Sequence, residues 1–282
     1  MSETIDRPKF RELRWEKHKV IPEQYDTVQL KMDGIWGCMK ISHGQWAIYS
    51  RTGKMKVDGV LEDRTLDAIL LGEFMFGSHW GHKMGKNRNF YIFDCAEMNG
   101  EDITDMTLSS RMTFATEMYH RLNGEIEGLR ILETYKTEEW SRLWDEFVQE
   151  YGYEGLVFKD SSSKFYDKNA WARMKAVVEM DYICTGFRDA DEGTKYEGMV
   201  GSVLGTLIDK DVYVTVGGIT EAQREVFTKM PEMYVGQVFT AKGNNWYPSG
   251  AIRHPQFMRW RSDKEPEECV YEQIPEGIRC LA

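Results

Sequence analysis

Gln29-Leu30-Lys31-Met32-Asp33-Gly34 sets a lysine in an apolar, strand-like run and follows it at once with Asp-Gly. An amine attacks phosphorus only when neutral, and nearby cations or loss of water lower a lysine's pKa enough to make it a nucleophile. Lys31 is therefore the candidate for covalent modification. The competing reading is an ordinary hairpin, because Asp-Gly is a turn-forming pair between strands. Two carboxylates, Glu73 and Glu154, and a set of cations, Lys159, Arg173 and Lys175, follow downstream. Magnesium prefers a few carboxylates plus phosphate oxygens and water, so Glu154 is the best protein ligand for it. Alternate residues of a strand share one side, which would turn Arg173 and Lys175 the same way.

The spacing extends well beyond one lysine. Tyr49-Ser50-Arg51-Thr52-Gly53, Leu71-Gly72-Glu73-Phe74, Tyr91-Ile92-Phe93-Asp94, Glu154-Gly155-Leu156-Val157-Phe158-Lys159 and Trp171-Ala172-Arg173-Met174-Lys175 occur in that order. Arg253-His254-Pro255-Gln256-Phe257-Met258-Arg259-Trp260-Arg261-Ser262-Asp263-Lys264 closes the series. Each motif is weak alone, but their order and coverage from about residue 29 to 264 are not accidental. The series resembles the lysine nucleotidyltransferases, and most closely the small ATP-dependent DNA ligases of bacteriophages and other viruses.

That resemblance implies roles residue by residue. Lys31 would form the phosphoramide with AMP, Glu73 would hydrogen-bond the ribose, Phe93 would stack on adenine and Gln29 would meet the adenine edge. Glu154, with Glu73, would serve Mg2+, while Lys159, Arg173 and Lys175 would face the triphosphate and Arg51 would supply a cation for a 5′-phosphate. Arg261, Asp263 and Lys264 would orient the departing pyrophosphate in the first step and then withdraw. Three positions depart from the family pattern. Arg173 stands where lysine is usual, Leu71 replaces an acid, and Trp36 replaces an arginine that helps hold the sugar or the nick. Trp36 would instead stack on a sugar or pack under the pocket.

These groups must be positioned by a chain of 282 residues, enough for one large or two moderate domains. Apolar residues at 41% and aromatics at 13% exclude a disordered chain. No apolar run reaches the roughly 18 to 20 residues that cross a bilayer, and the first twenty are too charged for a secretory signal. A cytoplasmic protein is expected, of a bacterial cytoplasm and open to phage origin. Five cysteines without a Cys-x-x-Cys pair suggest neither zinc nor disulfides. A net charge of −10 is unfavourable for a nucleic-acid binder, yet residues 159–175 and 242–264 are locally basic. That pattern permits a basic groove on an acidic body.

Residues 27–50 read as short strands with a turn at His43-Gly44, and 69–76 and 90–95 also read as strands. The clearest helix is 137–151, with Thr137 as N-cap and Trp140, Leu143, Trp144, Phe147, Val148 and Tyr151 on a core face. A second helix fits 108–122. Beyond Asp181, β-prone runs at 182–187, 202–208, 212–216, 236–242 and 252–260, with a helix near 221–230, suit a small Greek-key barrel.

The expected architecture is α+β: a nucleotidyltransferase (adenylation) domain of antiparallel sheets and helices at 1–180, then an oligonucleotide-binding (OB-fold) β-barrel at 181–282, with the boundary inside 176–184. The expected partners are ATP, with AMP carried on Lys31, and nicked duplex DNA, met as a monomer and away from membranes. The expected activity is sealing of 5′-phosphate, 3′-hydroxyl nicks in replication and repair. The rivals are an RNA ligase, a GTP-dependent capping guanylyltransferase, and a binding protein that kept the fold and lost the chemistry.

Overall fold

The computed structural model describes residues 5–14, 20–75, 88–247, 249, 251–274 and 276. The chain forms two compact units, Met1–Lys175 and Ala176–Ala282.

In the first unit the strands are β1 (Phe10–Leu13), β2 (Thr27–Lys31), β3 (Ile35–Ser42), β4 (Gln45–Ser50), β5 (Met55–Val60) and β6 (Ala68–Phe74). They continue with β7 (Phe90–Met98), β8 (Glu101–Asp102), β9 (Leu129–Ile131), β10 (Tyr135–Lys136), β11 (Gly155–Lys159) and β12 (Trp171–Lys175). One sheet runs β1-β12-β11-β2-β10 and the other β5-β4-β3-β6-β7-β8, with β9 alongside β7. Strands β2 and β3 therefore lie in different sheets, and Asp33-Gly34 is the crossing between them. The hairpin reading of that pair is overturned. Its steric reason is visible at Gly34, where a Cβ would sit 2.6 Å from the carbonyl oxygen of Phe74. A true hairpin does form one turn later, where His43 and Gly44 both adopt positive φ between β3 and β4.

Helix α1 (Leu108–Leu122) begins where Thr107 accepts a hydrogen bond from the Ser110 amide. Its Leu108, Arg111, Ala115, Met118 and Leu122 are buried, the spacing of one helical stripe. The expected helix at 137–151 is not one α-helix. A 3-10 turn covers Thr137–Glu139, α2 covers Trp140–Leu143, and a π-helical stretch covers Trp144–Glu150. Thr137 is not the cap, since Lys136 holds that position without a side-chain bond. The wider π turn is seen in the bond from the Tyr151 amide to the Glu146 carbonyl. It rotates Tyr151 off the expected face, leaving it 54% exposed while Leu143, Trp144 and Val148 stay buried.

The second unit contains β13 (Val178–Asp189), β14 (Val200–Thr206), β15 (Tyr213–Val216), β16 (Val238–Gly243), β17 (Asn245–Trp246), β18 (Ile252–Arg253) and β19 (Gln256–Trp260). The main sheet runs β15-β14-β13-β16-β19. Its two edges meet through a parallel bridge between Gly217 and Gln256, which closes a five-stranded barrel. Strand β13 serves both neighbours, pairing β16 with its first half and β14 with its second, and it bends at bulges beside Gly186 and Asp189. Helix α3 (Glu221–Lys229), opened by a Thr220/Gln223 capping box, lies between the third and fourth barrel strands. Its Phe227 is buried against Phe187 and Trp260. The strand expected over 252–260 is interrupted at His254-Pro255, because His254 has positive φ and Pro255 has no amide to donate. A two-sheet α+β unit followed in the chain by a five-stranded barrel is the observed architecture.

Candidate active site

Lys31 ends β2, and Gly155 of β11 stands directly opposite it in the ladder. Gly155 lies so close to β12 that a Cβ would fall 2.0 Å from the Met174 carbonyl oxygen. Strands β2 and β12 consequently flank β11 and deliver Lys31 and Lys175 to the same carboxylate. The Lys31 Nζ donates to Glu154 Oε2 at 2.5 Å, and the Lys175 Nζ lies 2.6 Å from Oε1. Burial alone would raise the Glu154 carboxyl, but the two lysines together hold it below its ordinary value.

Glu73 enters from β6 in the other sheet. Its Oε1 accepts the Gly34 amide at 3.0 Å, so the crossing from β2 to β3 is fastened to the carboxylate. Loss of water pushes Glu73 up to about 7, against the pull of Lys31 and the Gly34 bond. Phe93, on β7, is fixed through its neighbour. Asp94 points to the opposite side, where Arg111 of α1 forks onto both its oxygens at 2.9 and 3.0 Å. Both partners are fully buried, and breaking such a pair costs about 3 to 5 kcal/mol. The helix thereby sets the register that presents the Phe93 ring.

One pocket gathers these groups: Gln29, Lys31, Glu73, Phe93, Glu154, Lys159, Arg173 and Lys175 all line it. Gln29 is nearly fully buried and donates to Thr134 at 2.9 Å. Lys159 is 1% exposed, donates to the Phe93 carbonyl at 2.9 Å and lies 3.9 Å over the Trp171 ring. Burial lowers its amine to about 7. Arg173 pairs with Glu12 of β1 and covers Phe10 at 5.3 Å.

Arg51 is not gathered into this pocket. It is exposed on the turn after β4 and lines a separate recess with Asp6, Arg7, Pro8, Lys9, Phe10 and Arg173. Arg7 lines both, and no motif in the sequence marked it. Leu71 is fully buried in the apolar floor with Trp36, Cys38 and Trp171, which explains an apolar residue where an acid is usual. Trp36 packs on Phe93 with ring centroids 5.1 Å apart. Among the described residues no cluster of three or more His, Cys, Asp or Glu forms a metal cage.

In the second unit Arg261 and Lys264 share a buried carboxylate. Arg261 Nη1 and Lys264 Nζ reach Asp181 Oδ2 at 3.1 and 2.8 Å, while the Thr240 hydroxyl donates to Oδ1. Asp263 forks onto Arg261 with two 2.8 Å bonds. Arg261 is raised by the Asp263 bonds and by Asp181, and Asp263 is correspondingly lowered to about 2.

A strand-borne lysine under a shared carboxylate thus sits in a two-sheet unit that a five-stranded barrel follows in the chain. Two solved structures share that fold. One, described as "Pmar-Lig_Pre.", aligns with TM-score 0.65 at 16% identity over 88% of this chain and 66% of its own. Another, described as "DNA binding with a minimal scaffold: Structure-function analysis of Lig E DNA ligases", aligns with TM-score 0.64 at 15% identity over 91% of this chain and all of its own.

Sequence comparison is more particular. Residues 78–175 match the model of the ATP dependent DNA ligase domain. The DNA ligase of Enterobacteria phage T3 is 29% identical over 154 residues, 51% of this chain and 44% of the relative. That of Natronomonas pharaonis is 28% identical over 213 residues, 63% of this chain and 36% of the relative. Part of the chain is thus similar to ATP-dependent DNA ligases, and the chain spans less than half the length of these curated relatives.

Proposed function

We propose that this protein is an ATP-dependent DNA ligase that seals 5′-phosphate, 3′-hydroxyl nicks in duplex DNA, in replication or repair. The observation that carries the reading is the contact of Lys31 Nζ with Glu154 Oε2 at 2.5 Å, inside a pocket that also holds Glu73, Phe93 and Lys175. In the first step the Lys31 nitrogen forms a bond to the α-phosphorus of ATP, the bond to the β-phosphate oxygen breaks, and pyrophosphate leaves. Glu154 is placed to take the lysine's proton. Lys175, on the other oxygen of Glu154, supplies positive charge where the phosphate charge develops. AMP then passes to the DNA 5′-phosphate, and the 3′-hydroxyl displaces it.

Phe93 and Gln29 take the adenine, Glu73 the ribose, and Lys159 and Arg173 the phosphate side. Arg261, Asp263 and Lys264 are assigned to the departing pyrophosphate on the motif resemblance. Arg51 is assigned to the DNA 5′-phosphate, consistent with its exposure outside the nucleotide pocket. Mg2+, when bound, would neutralise phosphate charge, and the residues fit it as a sparse site, with Glu154 and Glu73 as its carboxylates.

The test is incubation with magnesium and either α-labelled ATP or α-labelled GTP, a denaturing gel, and a chase with nicked duplex DNA. Label from ATP that leaves on adding the nick is the expected result. Label from GTP alone would make the protein a capping-type transferase, label that leaves only on nicked RNA an RNA ligase, and no covalent label a binding protein.

A further inference from the structure

The nucleotide pocket and the recess around Arg51 share a wall, because Arg7, Phe10 and Arg173 line both. Strand β1 brings these residues together. Phe10 stands opposite Trp171 and Glu12 opposite Arg173 in the parallel β1–β12 ladder, and the Phe10 ring meets Trp171 edge-on at 5.7 Å. Arg7 lies three residues before Phe10, beyond the buried Pro8, with its guanidinium Cζ 5.9 Å from the centroid of the Phe10 ring. Of the two cations in the wall, Arg173 pairs with Glu12, whereas Arg7 is exposed.

Arg7 acts toward both sides. Loss of water raises the Glu73 carboxyl, and Arg7 is among the charges that pull it back, so the Arg7 field reaches into the nucleotide pocket. On the other side the recess gathers Arg7, Lys9, Arg51 and Arg173 around a single acid, Asp6. Such an excess of cations suits a phosphate, and a guanidinium binds phosphate oxygens as a planar fork.

The chemistry of nick sealing requires two phosphates to meet. A 5′-phosphate oxygen of DNA bonds to the AMP phosphorus as the bond from that phosphorus to the Lys31 nitrogen breaks, and the amine takes up a proton from solvent. The 3′-oxygen then bonds to the DNA phosphorus, AMP leaves with the bridging oxygen, and the hydroxyl proton is lost to solvent. Between these steps the two phosphorus atoms are joined through one oxygen, so a group that serves both must stand where their subsites touch. We infer that Arg7 is a phosphate-binding residue that grips the DNA 5′-phosphate where it joins AMP, and that it serves the two DNA steps more than the first. This rests on the ligase reading of the site.

The experiment compares wild type, Arg7→Gln and Arg7→Lys in self-labelling by α-labelled ATP, in single-turnover sealing of a pre-adenylylated nick, and in binding of nicked duplexes that end in 5′-phosphate or 5′-hydroxyl. Arg7→Gln should slow sealing by about 10- to 100-fold, as for loss of a charge-assisted hydrogen bond. Self-labelling should slow by about 3-fold or less, since an exposed charge acts weakly at a distance. The preference for a 5′-phosphate nick over a 5′-hydroxyl nick should shrink by about 10-fold, which a merely structural role would not change. Arg7→Lys, which keeps the charge without the fork, should recover part of both losses.

Equal slowing of labelling and sealing, or an unchanged preference for the 5′-phosphate, would overturn the inference while leaving the ligase reading intact. Wild type that takes no label from ATP and seals no pre-adenylylated nick would defeat that reading and the inference with it. Should Arg7→Gln fail to fold, Arg7→Lys carries the test, with sealing expected to slow by about 3- to 10-fold and more than labelling. Equal rates of wild type and folded Arg7→Lys in sealing would then overturn the inference.

Discussion

The two units solve one electrostatic problem in two ways. In each, a buried carboxylate is shared by two cations: Glu154 by Lys31 and Lys175, and Asp181 by Arg261 and Lys264. The difference lies in what else satisfies the carboxylate. Glu154 gives one oxygen to each lysine and lies in an open pocket beside Glu73. Asp181 gives a single oxygen to both cations, keeps its other for Thr240, and has Asp263 as a further brace on Arg261. A phosphate entering the first cluster could replace the carboxylate as counter-charge to the lysines. The second cluster is closed, because Thr240 on Asp181 and Asp263 on Arg261 satisfy it further from within the protein. The same charge count therefore leaves one cluster beside an open pocket and the other satisfied by its own partners.

The largest effect should come from Lys31→Ala, which removes the proposed nucleophile and one of the two cations. Covalent labelling should fall by at least about a thousandfold, with the thermal unfolding of the protein preserved. Full labelling of the folded variant would end the proposed mechanism. Next, Glu154→Gln should slow self-labelling by about a hundredfold or more, through loss of the proposed base and of the field holding Lys31 and Lys175, with little change in stability. The reverse pattern is expected at Asp181. Asp181→Asn should destabilise the second unit by about 2 to 3 kcal/mol, measured by denaturant unfolding, because two cations lose their shared partner. If Glu154→Gln unfolded the protein and Asp181→Asn did not, the contrast between an open and a closed cluster would be wrong.

The smallest effect concerns pH. Glu73 is raised from 4.5 to about 7, so the folded state holds a proton there that the unfolded chain has released. The folded protein consequently loses stability as pH rises from about 4.5 through about 7. Glu73→Gln removes this dependence while keeping an acceptor for the Gly34 amide. The variant should gain about 1 to 3 kcal/mol relative to wild type at pH 8, with the gap closing as pH falls to 4.5. A gap independent of pH, followed by chemical unfolding at both values, would show that Glu73 is not the group responsible.

Local pattern carried a large part of this molecule. Helix α1 was legible because an apolar stripe of helical period is a property of fifteen consecutive residues. The β3–β4 hairpin was legible because His43-Gly44 is a two-residue turn between alternating strands. The helix expected at 137–151 failed in detail because its apolar spacing fits an α-helix nearly as well as the π-helical stretch that forms. Lys31, Glu73, Phe93, Glu154 and Lys175 were all marked by short motifs, and one pocket holds them together.

What the sequence by itself determined is the set of chemically capable residues and the order of the elements bearing them, since both depend on residue type and near neighbours. Only the tertiary structure decided which groups meet. Glu154 touches a lysine 123 residues earlier in the chain, Asp94 is forked by an arginine on a helix, and Asp33-Gly34 joins two sheets rather than closing a hairpin. Such pairings leave no local period, because they are selected by burial and by the need to compensate charge once the sheets have packed.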